Sequence, residues 1–272
     1  MARDYLYQRH RLPIRVTHWV NALALVLLFM SGLQIFNAHP RLHWGKSSYT
    51  GAAPILDMRA APIEDGQPPR ISILGYPFEK TGLLGMFRDS YGFPGWATIP
   101  GVKWLAMGRR WHFFFAWVFV INGAVYLAYS FASRHVSRDL TPTRTDWRSI
   151  GRSIVDHLRF RHPQGEAAKH YNVLQKLAYL TLIFVLLPLI VLTGWSMSPW
   201  LNSLLPGWVD IFGGRQSGRT IHFIIAWLLL LFALVHVFEV IVTGFWNNLR
   251  SMITGRYRIT PQTSAGPTHE QQ

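Results

Sequence analysis

Histidine is expensive to place in a bilayer, because its ring nitrogens need a partner or a metal before they can leave water. This sequence has twelve histidines, and four of them, His18, His112, His222 and His236, stand inside long apolar runs. His222 and His236 share one run, TIHFIIAWLLLLFALVHVFEVIVTGFW, and lie fourteen residues apart. At 1.5 Å rise and 3.6 residues per turn, that interval closes about four turns, so both rings leave one helix face about 21 Å apart. This is too far for one metal centre and suits two stacked cofactors. Two neutral imidazoles on facing helices can hold a haem iron from both sides, filling both axial positions and leaving none for oxygen chemistry. The chain has no cysteine, which excludes disulfides, iron–sulfur ligation and covalent haem attachment. Zinc or a di-iron centre is disfavoured, because no cluster of Cys, Asp or Glu accompanies the histidines.

The elements that must position these rings are long helices. Half of the 272 residues are apolar, 12 are tryptophan and 15% are charged, which is a membrane composition. Four segments approach the ~20 apolar residues a bilayer core requires, at about 16–37, 111–133, 174–198 and 220–246. The run from Ile71 to Phe87 is broken by Gly75, Pro77, Glu79, Lys80, Gly82 and Gly85, and does not qualify. The first span has a basic flank but exceeds the apolar length of a secretory signal, so it is read as retained. The fold class expected is all-α: one membrane domain over residues 1–272, a four-helix bundle with a long extracytoplasmic loop between its first two helices. No internal repeat is evident.

Orientation follows from the basic residues. The net charge of +14 is spread between the apolar runs and forms no nucleic-acid-reading tract. Residues 1–15, the loop 134–173 and the tail beyond the last span are rich in arginine and fall on one side. Loop 38–110 and the short connection before helix four fall on the other. By the positive-inside rule both termini are cytoplasmic. The histidines then sort into two layers: His112 with His222 near the outer surface, and His18 with His236 near the cytoplasm. Loop 38–110 is rich in Gly, Pro and aromatics, and reads as a folded cap or as a docking surface for an extracytoplasmic partner. Loop 134–173 is expected to hold a short amphipathic helix lying on anionic lipid.

The four spans resemble those of the bacterial dihaem cytochrome b561 family and of the cytochrome b membrane subunits of formate dehydrogenase, nickel–iron hydrogenase and thiosulfate reductase. The resemblance rests on R-x-x-H-W opening helix one, on Y-N-x-x-Q-K before helix three and on the two histidines of helix four. It implies two haems b and a subunit that exchanges electrons between a partner enzyme and quinone in a bacterial inner membrane. The partner it suggests is a periplasmic molybdopterin oxidoreductase first and a hydrogenase second. The long outer loop departs from the compact pattern of that family. Asn172 and Gln175, at the start of helix three on the cytoplasmic side, are candidates for a quinone site, and the resemblance favours Asn172; by position Glu239, one turn beyond His236, could pass protons, snorkel to water or salt-bridge a loop arginine.

Other residues can be assigned by position. Arg15 and Arg219 each precede a histidine by three residues, and Arg109 and Arg110 adjoin His112. Such guanidiniums can pair with haem propionates, or serve as ordinary interfacial anchors. Gly32, Gly123, Gly194 and Gly244 permit close approach of a macrocycle or a helix, and Pro188 is expected to kink helix three. Electrons are expected to pass from the outer pair to the inner pair and on to quinone, in a direction set by the potentials. Two alternatives stay open. One is a stand-alone superoxide:quinone oxidase drawing the anion to Arg109, Arg110 and Arg219. The other is a colourless transporter or scaffold, whose histidines serve helix packing or proton relay.

Overall fold

The computed structural model describes residues 4–48, 53–58, 71–78, 92–101, 104–159, 169 and 171–260. In chain order the elements are β1 (Tyr5–Gln8), α1 (Leu12–Ala38), β2 (Arg41–Leu42), β3 (Leu56–Asp57), β4 (Ile71–Ile73), β5 (Tyr76–Phe78) and α2 (Leu105–Ala132). They continue with α3 (Arg144–Arg148), α4 (Ile150–Leu158), α5 (Val173–Thr181), α6 (Leu187–Ser196), α7 (Pro199–Leu204), α8 (Arg215–Val242), α9 (Phe245–Thr254) and β6 (Arg256–Ile259). Four helices among the described residues are long and apolar enough to cross a membrane: Leu12–Ala38, Leu105–Ala132, Val173–Ser196 and Arg215–Val242. The fold is all-α in its spans, as expected.

The boundaries differ from the expected ones for physical reasons. The first, second and fourth helices begin several residues early, because a helix continues through polar residues at its end even though a hydropathy window does not. The fourth ends at Val242 rather than 246: Gly244 adopts φ 110°, a left-handed conformation, and the chain restarts as α9. The third span is interrupted by a π-helical turn, Leu182–Leu186, just before Pro188, which lies in the first turn of α6. Proline has no N–H to return to the preceding turn, and the wider turn absorbs the mismatch. The kink expected at Pro188 takes this form. Of the broken run 71–87, β4 and β5 are short strands and residues 79–87 lie outside the described set.

The chain divides into two compact units. One contains residues 1–19, 124–185 and 231–272. There β1 pairs antiparallel with β6, Tyr5 opposite Ile259 and Gln8 opposite Arg256, which joins the segment before α1 to the segment after α9. Helix α3 opens on a capping box of Thr143 and Asp146, and α4 is the amphipathic helix expected in loop 134–173. Lys176 on α5 reaches Asp146 at 2.8 Å. That hydrogen bond holds the Asp146 carboxyl below its usual range.

The other unit contains residues 20–123 and 186–230. Strands β2 to β5 form an antiparallel sheet in the order β2-β3-β4-β5. Leu42, Met58, Ile71 and Phe93 of the loop pack into one apolar cluster with Leu33 and Phe36 of α1, so the described part of the loop is folded against that helix. Its latch is Asn37. The Asn37 Nδ2 donates to the Phe93 carbonyl at 2.9 Å, and the Phe93 N–H donates to Asn37 Oδ1 at 2.7 Å, both in a buried setting. Gly92, at φ 84°, is needed there because a side chain would strike the Asn37 oxygen. The segment after α1 also fastens to the start of α8: Thr220 donates to the His43 carbonyl, and the Gly45 N–H donates to Ser217, each at 2.7 Å.

Asn37→Leu would keep the branched side-chain skeleton and strand two backbone groups of Phe93. At about 1–2 kcal/mol for each buried group left unmade, the variant is expected to lose about 2–4 kcal/mol. This is read as a lower unfolding midpoint in detergent, with faster proteolysis of loop 38–110; a wild-type midpoint would show that the latch is not what holds the cap.

Candidate haem site

His112 and His222 are brought together within one unit, and His18 and His236 within the other. The ring centroids of His112 and His222 are 6.2 Å apart with planes at 64°. Those of His18 and His236 are 6.3 Å apart at 61°. In both pairs the rings are inclined to one another rather than stacked parallel. Two imidazoles that ligate one ion from opposite sides, each through a nitrogen about 2 Å from it, have centroids about 6 Å apart. Both pairs meet that geometry.

The His112/His222 pair is held in one orientation by its surroundings. His112 Nδ1 lies 3.1 Å from the Leu28 carbonyl and 3.1 Å from Ser31 Oγ. The Ser31 hydroxyl donates its own proton to the Leu27 carbonyl at 2.6 Å, so its oxygen faces the ring as an acceptor. His222 repeats this on α6: Nδ1 is 3.0 Å from the Ile190 carbonyl and 3.1 Å from Thr193 Oγ1, and Thr193 donates to the Leu189 carbonyl at 2.7 Å. A carbonyl can only accept. Nδ1 of each ring must therefore carry the proton, and the Nε2 lone pair is left to bind a metal. Gly32 and Gly194 complete the two cradles, since an added Cβ would lie 3.4 Å from His112 Cε1 and 3.3 Å from His222 Cε1.

Sequence inspection missed these cradles. They form a short repeat, LFMSG at 28–32 and IVLTG at 190–194, in which a carbonyl, a hydroxyl three residues on and a glycine four residues on share one helix face. Only the glycines had stood out. The spacing of Ser31 and Thr193 ahead of them was the available signal.

The His18/His236 pair is built differently. His236 stacks on Phe232 with planes 3° apart and centroids at 6.0 Å, and His18 meets Trp19 edge-on at 5.3 Å. His18 Nδ1 is buried without a hydrogen-bond partner. In the other unit Gln34, 1% exposed, has no partner for either amide atom. Buried polar atoms of this kind are normally satisfied, and they suit a cofactor with polar edges. No group of three or more His, Cys, Asp or Glu suited to a metal occurs among the described residues. Two imidazole nitrogens from opposite sides are too few for a tetrahedral ion and suffice for an iron already held in the plane of a macrocycle. The residues present fit haem.

The remaining sequence candidates divide. Arg15 donates from Nη1 to the Ile253 carbonyl at 3.0 Å and buries an unpartnered Nε. Arg219 donates to the His39 carbonyl and lies over the Phe36 ring at 5.8 Å. Arg109 is exposed over Phe113, and Arg110 is exposed. Asn172 and Gln175 form the capping box that starts α5: the Gln175 N–H donates to Asn172 Oδ1 at 2.8 Å, and the Asn172 N–H donates to Gln175 Oε1 at 3.2 Å. This uses both amide oxygens. Glu239 approaches His157 of α4 at 3.6 Å. Beside Asn172, Tyr171 packs edge-on to Tyr179 at 5.3 Å, with the Arg9 guanidinium 5.9 Å from its ring. Burial pushes the Tyr171 hydroxyl above its usual range, and burial with the nearby Arg9 charge pulls His10 down to about 4.

A family model described as prokaryotic cytochrome b561 matches residues 9–255. The chain belongs to the prokaryotic cytochrome b561 family. It is thus a multi-pass membrane cytochrome of the haem-b electron-transfer type. Among curated relatives, a putative protein-methionine-sulfoxide reductase subunit, YedZ1, of Azospira oryzae is 26% identical over 250 residues, which span 92% of this chain and 98% of that protein. A probable Ni/Fe-hydrogenase B-type cytochrome subunit of Cupriavidus necator is 23% identical over 267 residues, spanning 92% of this chain and 85% of that protein. No solved structure matches.

Gly32→Leu and Gly194→Leu drive a branched side chain into the face of His112 or His222. Each is expected to lose bound haem while the protein still elutes as a folded species on gel filtration. Gly123→Ala, where a Cβ meets nothing within 4 Å, is the control that keeps its haem.

Proposed function

We propose that this chain is a dihaem b-type cytochrome subunit that relays electrons between an extracytoplasmic redox enzyme and the membrane quinone pool. The observation that carries the reading is the recurrence of one ligand geometry: two histidine pairs at 6.2 and 6.3 Å, each within its own compact unit. Haem b, when bound, supplies one-electron oxidation and reduction at iron. His112 with His222 and His18 with His236 would hold its iron through their imidazole nitrogens, and two such ligands would favour electron transfer over oxygen chemistry. His222 and His236, fourteen residues apart, both belong to helix α8, an interval of about 21 Å of helix rise that suits two cofactors rather than one. Arg15, Arg109, Arg110 and Arg219 provide cationic groups for propionates at the span ends.

The partner is a redox enzyme carrying its own cofactor, since this chain has no cysteine with which to ligate a cluster. The printed names of the relatives, a methionine-sulfoxide reductase subunit and a hydrogenase cytochrome subunit, support that class. A periplasmic molybdopterin oxidoreductase is the first choice and a hydrogenase the second. The arginine distribution supports a bacterial inner membrane location with both termini cytoplasmic. Quinone is assigned to the start of α5. There Asn172 and Gln175 have spent their amide oxygens on the cap, and the amide N–H groups remain as donors beside Tyr171. Glu239 and His157 offer a proton path between α8 and α4.

The direct test is a visible spectrum, oxidised and reduced, with a haemochrome count on wild type, His222→Ala and His236→Ala. Two haems in wild type, with a different one missing from each variant, are expected. A folded, haem-supplied wild type that is colourless would overturn the proposal. For the quinone, Asn172→Asp keeps the capping oxygen and removes the amide donor. It is expected to slow quinone-coupled reoxidation several-fold with an unchanged melting midpoint, and an unchanged rate would leave Asn172 as a cap alone.

A further inference from the structure

The two histidine pairs differ in what their distal nitrogens meet. In the His112/His222 pair each Nδ1–H has two acceptors, a main-chain carbonyl and a hydroxyl oxygen already committed as an acceptor by its own donation to the helix. In the His18/His236 pair His18 Nδ1 is buried with no partner, and His236 is stacked on a phenyl ring. A hydrogen bond from Nδ1 raises the basicity of the ligating nitrogen and favours the more oxidised metal, and hydrogen bonding around a haem is one of the levers on its potential.

We propose, resting on the dihaem reading above, that Ser31 and Thr193 are positioning residues that hold the potential of the His112/His222 centre below that of the His18/His236 centre. An electron given to the first centre then settles on the second: one iron is oxidised as the other is reduced, and no proton is required. The redox partner supplies the electrons, and quinone removes them with two protons for each pair. The repeat of the same carbonyl, hydroxyl and glycine at 28–32 and 190–194 places the device on both ligands of one centre, and the described surroundings of the other centre show no counterpart. This gives the relay a built-in direction, from the His112/His222 end toward the His18/His236 end.

The experiment is a potentiometric titration of the purified, haem-loaded protein, followed optically, on wild type, Ser31→Ala, Thr193→Val, the double variant and Ser31→Thr. His236→Ala and His222→Ala, each retaining one haem, assign the two midpoints. Wild type is expected to show two midpoints, with the lower one retained in His236→Ala. The double variant should raise only that lower midpoint, by about tenfold in the ratio of reduced to oxidised haem at fixed potential, which is 59 mV for a one-electron couple. Each single variant should do so in part, and Ser31→Thr, which keeps the hydroxyl, should restore the wild-type value. A lower midpoint that survives instead in His222→Ala, or two midpoints that do not move in the double variant, would overturn the inference while leaving the dihaem relay standing. A protein without haem would overturn both.

Discussion

An imidazole in a membrane helix has two nitrogens to satisfy, and how the first is satisfied decides what the second can do. In the His112/His222 pair the first is given to the protein: a carbonyl and a hydroxyl on a neighbouring helix fix the proton on Nδ1 and leave Nε2 as the free lone pair. Much of the local architecture follows from that choice. Gly32 and Gly194 are small because the rings lie against them, and Ser31 and Thr193 donate to their own helices so that their oxygens face inward.

The rest of each unit keeps these helices in place. In one, the Asn37 latch and the Leu33–Phe93 cluster bind the loop to α1 close to Ser31 and Gly32, so cap and cradle are parts of the same helix end. In the other, the pairing of β1 with β6 ties the segment after α9 to the segment that leads into α1 and His18. There Arg15 donates to the Ile253 carbonyl and Trp19 Nε1 to the Met252 carbonyl. These side-chain bonds to carbonyls near a helix terminus satisfy acceptors that the helix itself leaves open.

The spans, the family and the pairing of the histidines were legible in the sequence, because each depends on a property that survives without coordinates. Hydropathy marks apolar length, and the turn of a helix converts the interval from His222 to His236 into a shared face. The cradles were less legible. Serine and threonine in a membrane helix commonly donate back to the preceding turn, so Ser31 and Thr193 carry no signal until the ring above them is seen. Asn172 and Gln175 show the converse. Their motif reads by resemblance as a binding element, whereas what the structure shows is that these side chains cap α5. The end of the fourth span at Val242 was hidden because the apolar residues run on past Gly244.

Low-temperature EPR of the fully oxidised protein bears most directly on the two-pair ligation. If both irons are held by two imidazoles, two low-spin ferric signals are present and no high-spin signal accompanies them. A high-spin ferric signal accounting for one whole haem would mean that one pair leaves an axial position open, and the ligand assignment for that pair would be wrong.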